Sequence, residues 1–185
     1  MKKLFYVRHG ETEMNVATIW SGQTETPLTE NGKTQAKATG VHVKTHLPPI
    51  DLIVCSPLSR AVHTAEIIAG EIGYPASKIV RNELLVERHF GTLEGTSSAG
   101  YTVDYSFEDI DALEGSETVK QVHERALQAL AYIESLPQDN ILVVSHGTFG
   151  RALRRVVNKL PHTHEYDLKH REEFRLKNAE IIELI

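Results

Sequence analysis

Two short apolar runs, far apart in a chain of 185 residues, lead into the same pair of residues. Leu4-Phe5-Tyr6-Val7 runs into Arg8-His9-Gly10, and Ile141-Leu142-Val143-Val144 runs into Ser145-His146-Gly147. Runs of this length, separated by helix-period segments, read as buried strands of an α/β protein with a largely parallel sheet. In an open sheet of that kind, ligands bind beyond the carboxyl ends of the strands, near the point where strand order reverses. Neighbouring strands would bring both histidines into one pocket. The glycine after each would let the backbone turn sharply and come close to a bound group.

The remaining runs fit the same plan. Asp51–Cys55 and Ile141–Val144 are strand candidates, Lys78–Val80 is a weaker one, and Glu173–Leu176 and Glu180–Ile185 close the chain. A helix is expected from about Glu30 to Thr45, opened by Thr29 as N-cap. The next has Ser56 as N-cap and Pro57 at its first position. A third begins at Ser116, with Val119, Val122, Ala126, Leu130 and Ile133 at helical spacing. A fourth follows Gly147, with Phe149, Leu153, Val156, Val157 and Leu160 on one face. No linker divides the chain, so residues 1–185 read as one domain, with a small insertion at about 92–115 that shows no period.

Several function classes find no support. The formal net charge is −5, whereas a nucleic-acid-binding protein usually shows a basic face. The apolar stretch at the N-terminus stops at Arg8, too short for a signal-peptide core or a membrane span. A single cysteine, Cys55, cannot form an internal disulfide and suits a reducing compartment, so the expected location is the cytoplasm. No exposed apolar stripe stands out that would set an oligomeric state.

The polar residues at the strand ends point to a phosphate. The strand ending at Cys55 feeds a helix that carries Arg60 in its first turn, and a helix N-terminus with a guanidinium beside it favours an anion. Arg8, His9, Arg60 and His146 would then converge on one phosphate-sized group. Each residue alone has a plainer reading: a polar side chain at a sheet edge for either histidine, and a solvated helix residue for Arg60. Together they are harder to read as coincidence. His162-Thr163-His164 has metal-ligand spacing but lies in a polar stretch without a cysteine, so no metal is expected there.

At these residues the chain resembles the histidine phosphatase superfamily, the clan of cofactor-dependent phosphoglycerate mutases and related phosphatases. The resemblance runs from Leu4–Val7 through Arg8-His9-Gly10-Glu11-Thr12-Glu13-Met14-Asn15, then Pro27–Gly32 with Gln35-Ala36, then Ser56–Ala61. It continues in Glu87–Gly91 with Glu94-Gly95, Glu117-Thr118 with Arg125, and Val144–Gly147. It implies a three-layer sandwich with a mostly parallel central sheet flanked by helices, and a phosphohistidine intermediate on His9. Arg8, Asn15, Arg60, Gly147 and a protonated His146 would hold the phosphoryl oxygens. Ser21 and Gly22 would meet the rest of the substrate. Glu87 would protonate the leaving oxygen and then activate water, which asks for a carboxyl pKa raised towards neutrality. No metal or other cofactor is implied, since cationic side chains supply the charge.

The expected activity is hydrolysis of a small phosphorylated metabolite. The mutases are longer and carry a lysine where this chain has Ser98. Between Gly91 and Val119 there is no Lys or Arg, while Glu94, Asp104, Glu108, Asp109, Asp111, Glu114 and Glu117 are acidic. An excursion of that sign is expected to repel a bisphosphoglycerate and to tolerate a lightly charged ester. The alternative is a mutase, favoured by Glu87-Arg88-His89-Phe90-Gly91, which is similar to the mutase version. A non-catalytic relative that only binds a phospho-ligand should have lost His9, Arg60, Glu87 or His146, and all four are present.

Overall fold

The computed structural model describes residues 2–99, 110–161, 163, 169–170 and 173–185. Its centre is a single sheet built from β1 (Lys3–Arg8), β2 (Leu52–Cys55), β3 (Val80–Arg81), β4 (Asn140–Ser145) and β5 (Ile181–Glu183). The order is β3-β2-β4-β1-β5, parallel throughout except for β5, which runs antiparallel along β1. β1 and β4 are neighbours in register, Lys3 opposite Asn140 and Arg8 opposite Ser145. The next residues along, His9 and His146, therefore leave the sheet side by side. The His9 amide extends the ladder by donating to Ser145 O at 2.9 Å.

Alternation along the strands divides the core into two layers. Leu4, Tyr6, Val54, Ile141 and Val143 face one side, against Val122, Ala126, Ala129, Ile133, Phe149 and Leu153. These come from α4 (Val119–Ser135) and α5 (Gly147–Val157). Phe5, Val7, Ile53, Cys55, Leu142 and Val144 face the other, against Val43, Ala61, Ala65, Ile68 and Ala69 of α2 (Glu30–His46) and α3 (Ser59–Ile72). With helices on both faces the strands bury both sets of side chains, which is why they read as unbroken apolar runs. The short α1 (Glu13–Val16) follows β1.

Helix starts show where local signals hold and where they give way. Thr29 caps α2 as expected, its hydroxyl accepting from Gly32 N at 2.9 Å. Ser56 does not cap α3, which begins at Ser59 with no side-chain cap from Leu58. The Ser56 hydroxyl bonds the imidazole of His146 instead, and the Glu25 carboxylate takes the Ser59 amide and hydroxyl. α4 starts at Val119 rather than Ser116, because Thr118 and Gln121 form a reciprocal capping box while the Ser116 hydroxyl donates to Ile110 O and Leu113 O. Leu160 falls beyond α5.

Two strand expectations change as well. β3 is displaced to Val80–Arg81, because Ala76–Lys78 forms a 3-10 turn. Glu173–Leu176 is not a strand: Phe174 and Leu176 are buried in turn and coil. The described part of the 92–115 stretch contributes Leu93, Ile110 and Leu113 to a small separate core that also holds Phe90 and Trp20. Asp104, Glu108, Asp109, His162 and His164 lie outside the described residues. Among the described residues no helix is long and apolar enough to cross a membrane.

Candidate active site

The parallel register carries His9 and His146 to one place. Their rings stand 5.2 Å apart between centroids, tilted by 62°, with His9 5% exposed and His146 fully buried. His9 Nδ1 lies 2.7 Å from Gly10 O, a partner that can only accept, so this nitrogen carries the proton and the Nε2 lone pair is left in the pocket. His146 is held at three points. Its Nε2 is 2.8 Å from Ser56 Oγ, its carbonyl accepts from the Tyr6 hydroxyl at 2.7 Å, and its amide donates to that hydroxyl at 3.0 Å. His146 Nδ1 is buried with no partner among the described residues.

Burial, followed by the charges of Arg60 and Arg8, pushes the His9 pKa well below its ordinary 6.5. His146 is lowered in the same way, by burial first and then by Arg60, His9 and Arg8. These influences favour the neutral imidazole at both positions.

The guanidinium groups are clamped by backbone carbonyls. Arg60, almost wholly buried, donates to Gly22 O at 2.5 Å and to Thr24 O at 2.9 Å. Arg8 donates to Leu176 O at 2.7 Å, and its Nε faces Gly147, where an added Cβ would come within 3.4 Å. In each case Nε is buried without a partner among the described residues. Burial outweighs nearby carboxylates, Glu87 first among them, and lowers the pKa of both arginines.

Glu87 sits at the N-terminus of α5. Its carboxylate accepts from Arg88 N and Phe149 N at 2.8 Å and from Thr148 N at 3.0 Å. Arg88 turns its guanidinium elsewhere, to Asp111 Oδ1 at 2.5 Å and Glu117 O at 2.7 Å. Arg125 binds the Glu117 carboxylate at 2.6 and 2.8 Å and donates to Leu84 O and Val86 O, which fixes the backbone leading into Glu87. Asn15 accepts from Thr12 N and from Asn178 Nδ2, which also donates to His9 O.

Arg8, His9, Arg60, Glu87, His146 and Gly147 are thus gathered at one end of the sheet, with Asn15 on α1 and Ser21 and Gly22 in the loop that follows. The sequence reading missed Tyr6, Ser56 as a partner of His146, and Asn178. A tyrosine inside an otherwise apolar strand was the available sign for Tyr6, since its buried hydroxyl needs a partner. Nothing local marks Asn178.

A cleft of about 240 Å³ opens beside this cluster, lined by Arg8, Glu87, Gly147, Thr148, Arg151, Arg175 and Leu176. It adjoins a second hollow of about 350 Å³ bounded by Arg8, Arg175, Lys177 and Asn178. A larger apolar hollow of about 450 Å³, lined by Val43, Leu47 and Tyr74 among others, contains none of these groups. Among the described residues no three of His, Cys, Asp or Glu are grouped to hold a metal ion.

A mostly parallel sheet flanked by helices, with two imidazoles, two clamped guanidinium groups and a helix N-terminus at its carboxyl edge, defines an α/β protein with a cationic candidate site. The chain belongs to the histidine phosphatase superfamily, branch 1, whose family model matches residues 4–184. It is 33% identical over 169 residues to a 2,3-bisphosphoglycerate-dependent phosphoglycerate mutase of Bradyrhizobium, covering 85% of this chain and 81% of that one. It is 35% identical over 154 residues to an uncharacterized phosphatase, PhoE, of Bacillus subtilis, covering 83% and 76%. Among solved structures, mycobacterial glucosyl-3-phosphoglycerate phosphatase superimposes with a TM-score of 0.79 at 26% identity, covering 98% of this chain and 89% of that one. Phosphoserine phosphatase of Entamoeba histolytica in complex with 3-phosphoglyceric acid gives 0.79 at 26%, covering 99% and 90%.

Proposed function

We propose that the protein is a phosphomonoester phosphatase that hydrolyses a small phosphorylated metabolite through a phosphohistidine on His9. The observation that carries this reading is the His9 tautomer. With Nδ1–H given to Gly10 O and the pKa held low, Nε2 is an unprotonated nucleophile within the field of Arg60 and Arg8.

In the first step Nε2 forms a bond to phosphorus and the ester P–O bond breaks, while Glu87 gives a proton to the leaving oxygen. In the second, water adds to phosphorus, Glu87 takes its proton, and the P–N bond breaks to release phosphate. Arg8, Arg60, Asn15, the Gly147 amide and His146 hold the phosphoryl oxygens. A dianion placed there offsets the repulsion among Arg8, Arg60 and a protonated imidazole, so His146 would take up its proton with the substrate. Ser21 and Gly22 face the remainder of the ester. The guanidinium charge stands where other phosphoryl-transfer sites place a metal ion, and the reaction is read as metal-independent. A cytoplasmic location belongs to the same reading and rests on the single, buried free thiol of Cys55, which cell fractionation tests.

The second reading is a mutase, favoured by the Bradyrhizobium relative and by the Glu87–Gly91 block. Purified protein in EDTA should release phosphate from p-nitrophenyl phosphate and from a panel of metabolite esters. Negligible release, with robust 2,3-bisphosphoglycerate-dependent interconversion of phosphoglycerates, would decide for the mutase.

A further inference from the structure

Residues 177–180, the turn just before β5, are fastened to the segment that carries the nucleophile. Glu180 O accepts from Arg8 N at 3.2 Å, and His9 O accepts from Ala179 N at 3.1 Å and from Asn178 Nδ2 at 3.2 Å. The turn also closes on itself, with Glu180 N donating to Lys177 O at 3.1 Å and Lys177 N to the Glu180 carboxylate at 2.6 Å. From α2 the buried Thr39 hydroxyl donates to Ala179 O at 2.6 Å. Ala179 is itself buried, with φ at 57°. That left-handed conformation is costly for a residue with a Cβ and persists where the surroundings over-determine it. Here they do, since the peptide groups on both sides of Ala179 are bonded to other elements.

This turn carries the Asn178 carboxamide, whose orientation follows from its partners. His9 O can only accept, so the group facing it is the Asn178 NH2. The same NH2 meets Asn15 at 3.0 Å, which requires the Asn15 oxygen at that place. Thr12 N, also a donor, requires the same oxygen at 3.2 Å. With two donors on Oδ1 the Asn15 amide cannot flip without losing both. Its Nδ2 is the end left over, without a hydrogen bond among the described residues. A flipped Asn15 would turn oxygen lone pairs towards a bound anion, whereas the held one keeps two N–H donors for it.

We propose that Asn178 is a positioning residue: set by the 177–180 turn, it fixes the Asn15 carboxamide so that Nδ2 donates to the phosphoryl oxygens and Oδ1 is kept away from them. The proposal rests on the phosphatase reading for the anion that Asn15 holds, and adds what aims Asn15 at it. Docking of the C-terminal segment along β1 thereby completes the pocket built around His9.

The test separates aim from packing. Asn178→Leu keeps the branched shape of the side chain and removes its donors, and Asn178→Ala removes both shape and donors. Thr12 retains one hold on Asn15 and Ala179 N one on His9 O, so kcat/KM for p-nitrophenyl phosphate should fall by roughly tenfold in either variant, less than for outright loss of an oxyanion donor. In an Asn15→Ala chain the same substitutions should change kcat/KM by less than about twofold. Activity within twofold of the intact chain for Asn178→Leu, or an equal loss in both backgrounds, overturns the proposal. Binding is read without turnover by NMR of the Asn15 side-chain amide, with inorganic phosphate as the probe. Phosphate should shift both Nδ2 proton resonances in the intact chain, and several-fold less in Asn178→Leu. Resonances that stay unmoved in the intact chain at saturating phosphate also overturn it. If no ester is hydrolysed, yet the shift is present and is lost in Asn178→Leu, the phosphatase reading falls and the positioning role stands.

Discussion

Glu94 touches no reacting group, yet its removal should cripple the site. Its carboxylate ties the 22–24 loop to the Phe90–Gly95 turn through four donors. Gly22, at φ 48°, leaves room for it where a Cβ would lie 1.9 Å from Glu94 Oε1. The carbonyls of Gly22 and Thr24, on this same loop, hold the two terminal nitrogens of Arg60. Leaving a buried donor unsatisfied costs about 1–3 kcal/mol, and water reaching the edge of this site relieves part of that for four donors, so Glu94→Ala should lose roughly 3 kcal/mol of stability. Removing one preorganised oxyanion donor slows catalysis by about 10²–10³. A loosened Arg60 keeps some of its effect, so kcat/KM for p-nitrophenyl phosphate should fall by roughly 10–100-fold, measured well below the unfolding midpoint. The discriminating assay is a double-mutant cycle with Arg60→Ala. If Glu94 acts through Arg60, adding Glu94→Ala to the Arg60→Ala chain should change kcat/KM by less than about twofold, while the loss of stability persists. A full, additive loss in that background would refute the argument.

Two further predictions concern the imidazoles. Tyr6→Phe removes a hydroxyl that both donates to and accepts from the His146 backbone, and should cost about 2–3 kcal/mol by chemical denaturation together with a drop in kcat. The low pKa values of His9 and His146 mean that the unfolded chain, titrating near 6.5, binds protons the folded chain does not. Stability is therefore complete above about pH 6.5 and should decline on acidification through the window between that value and the depressed folded ones. Unfolding midpoints across this range should show a smaller acid loss for His146→Gln. The acid limb of kcat/KM, corrected for substrate ionisation, should fall below 6.5, and a limb above it would contradict the neutral nucleophile.

What could be read from the chain and what could not divide along physical lines. Strands buried on both faces announce themselves as apolar runs, and the residues that follow them must emerge at the sheet edge. His9, His146 and their glycines were legible for that reason, as was Thr29, whose cap is made within three residues. Ser56 looked like a cap because local chemistry favours it, but a buried imidazole 90 residues away makes a stronger claim on its hydroxyl. The acidic residues between Gly91 and Val119 suggested a repulsive rim, whereas three of the four described ones, Glu94, Asp111 and Glu117, are taken up by backbone amides and arginines from other elements, and Glu114 is exposed. Arg175 and Asn178 approach the pocket only because β5 returns antiparallel along β1 and brings the preceding segment with it. Pairing across such distances leaves no local pattern.

Every role proposed at the site follows from His9 as the nucleophile. Rapid acid-free quenching of a reaction with phosphorus-labelled ester, followed by peptide mapping, measures it directly. Label should appear within one turnover on the peptide containing His9, be labile to acid and stable to base, and vanish in His9→Ala along with phosphate release. Phosphate release that continues in that variant, or label found on another side chain, would contradict the account.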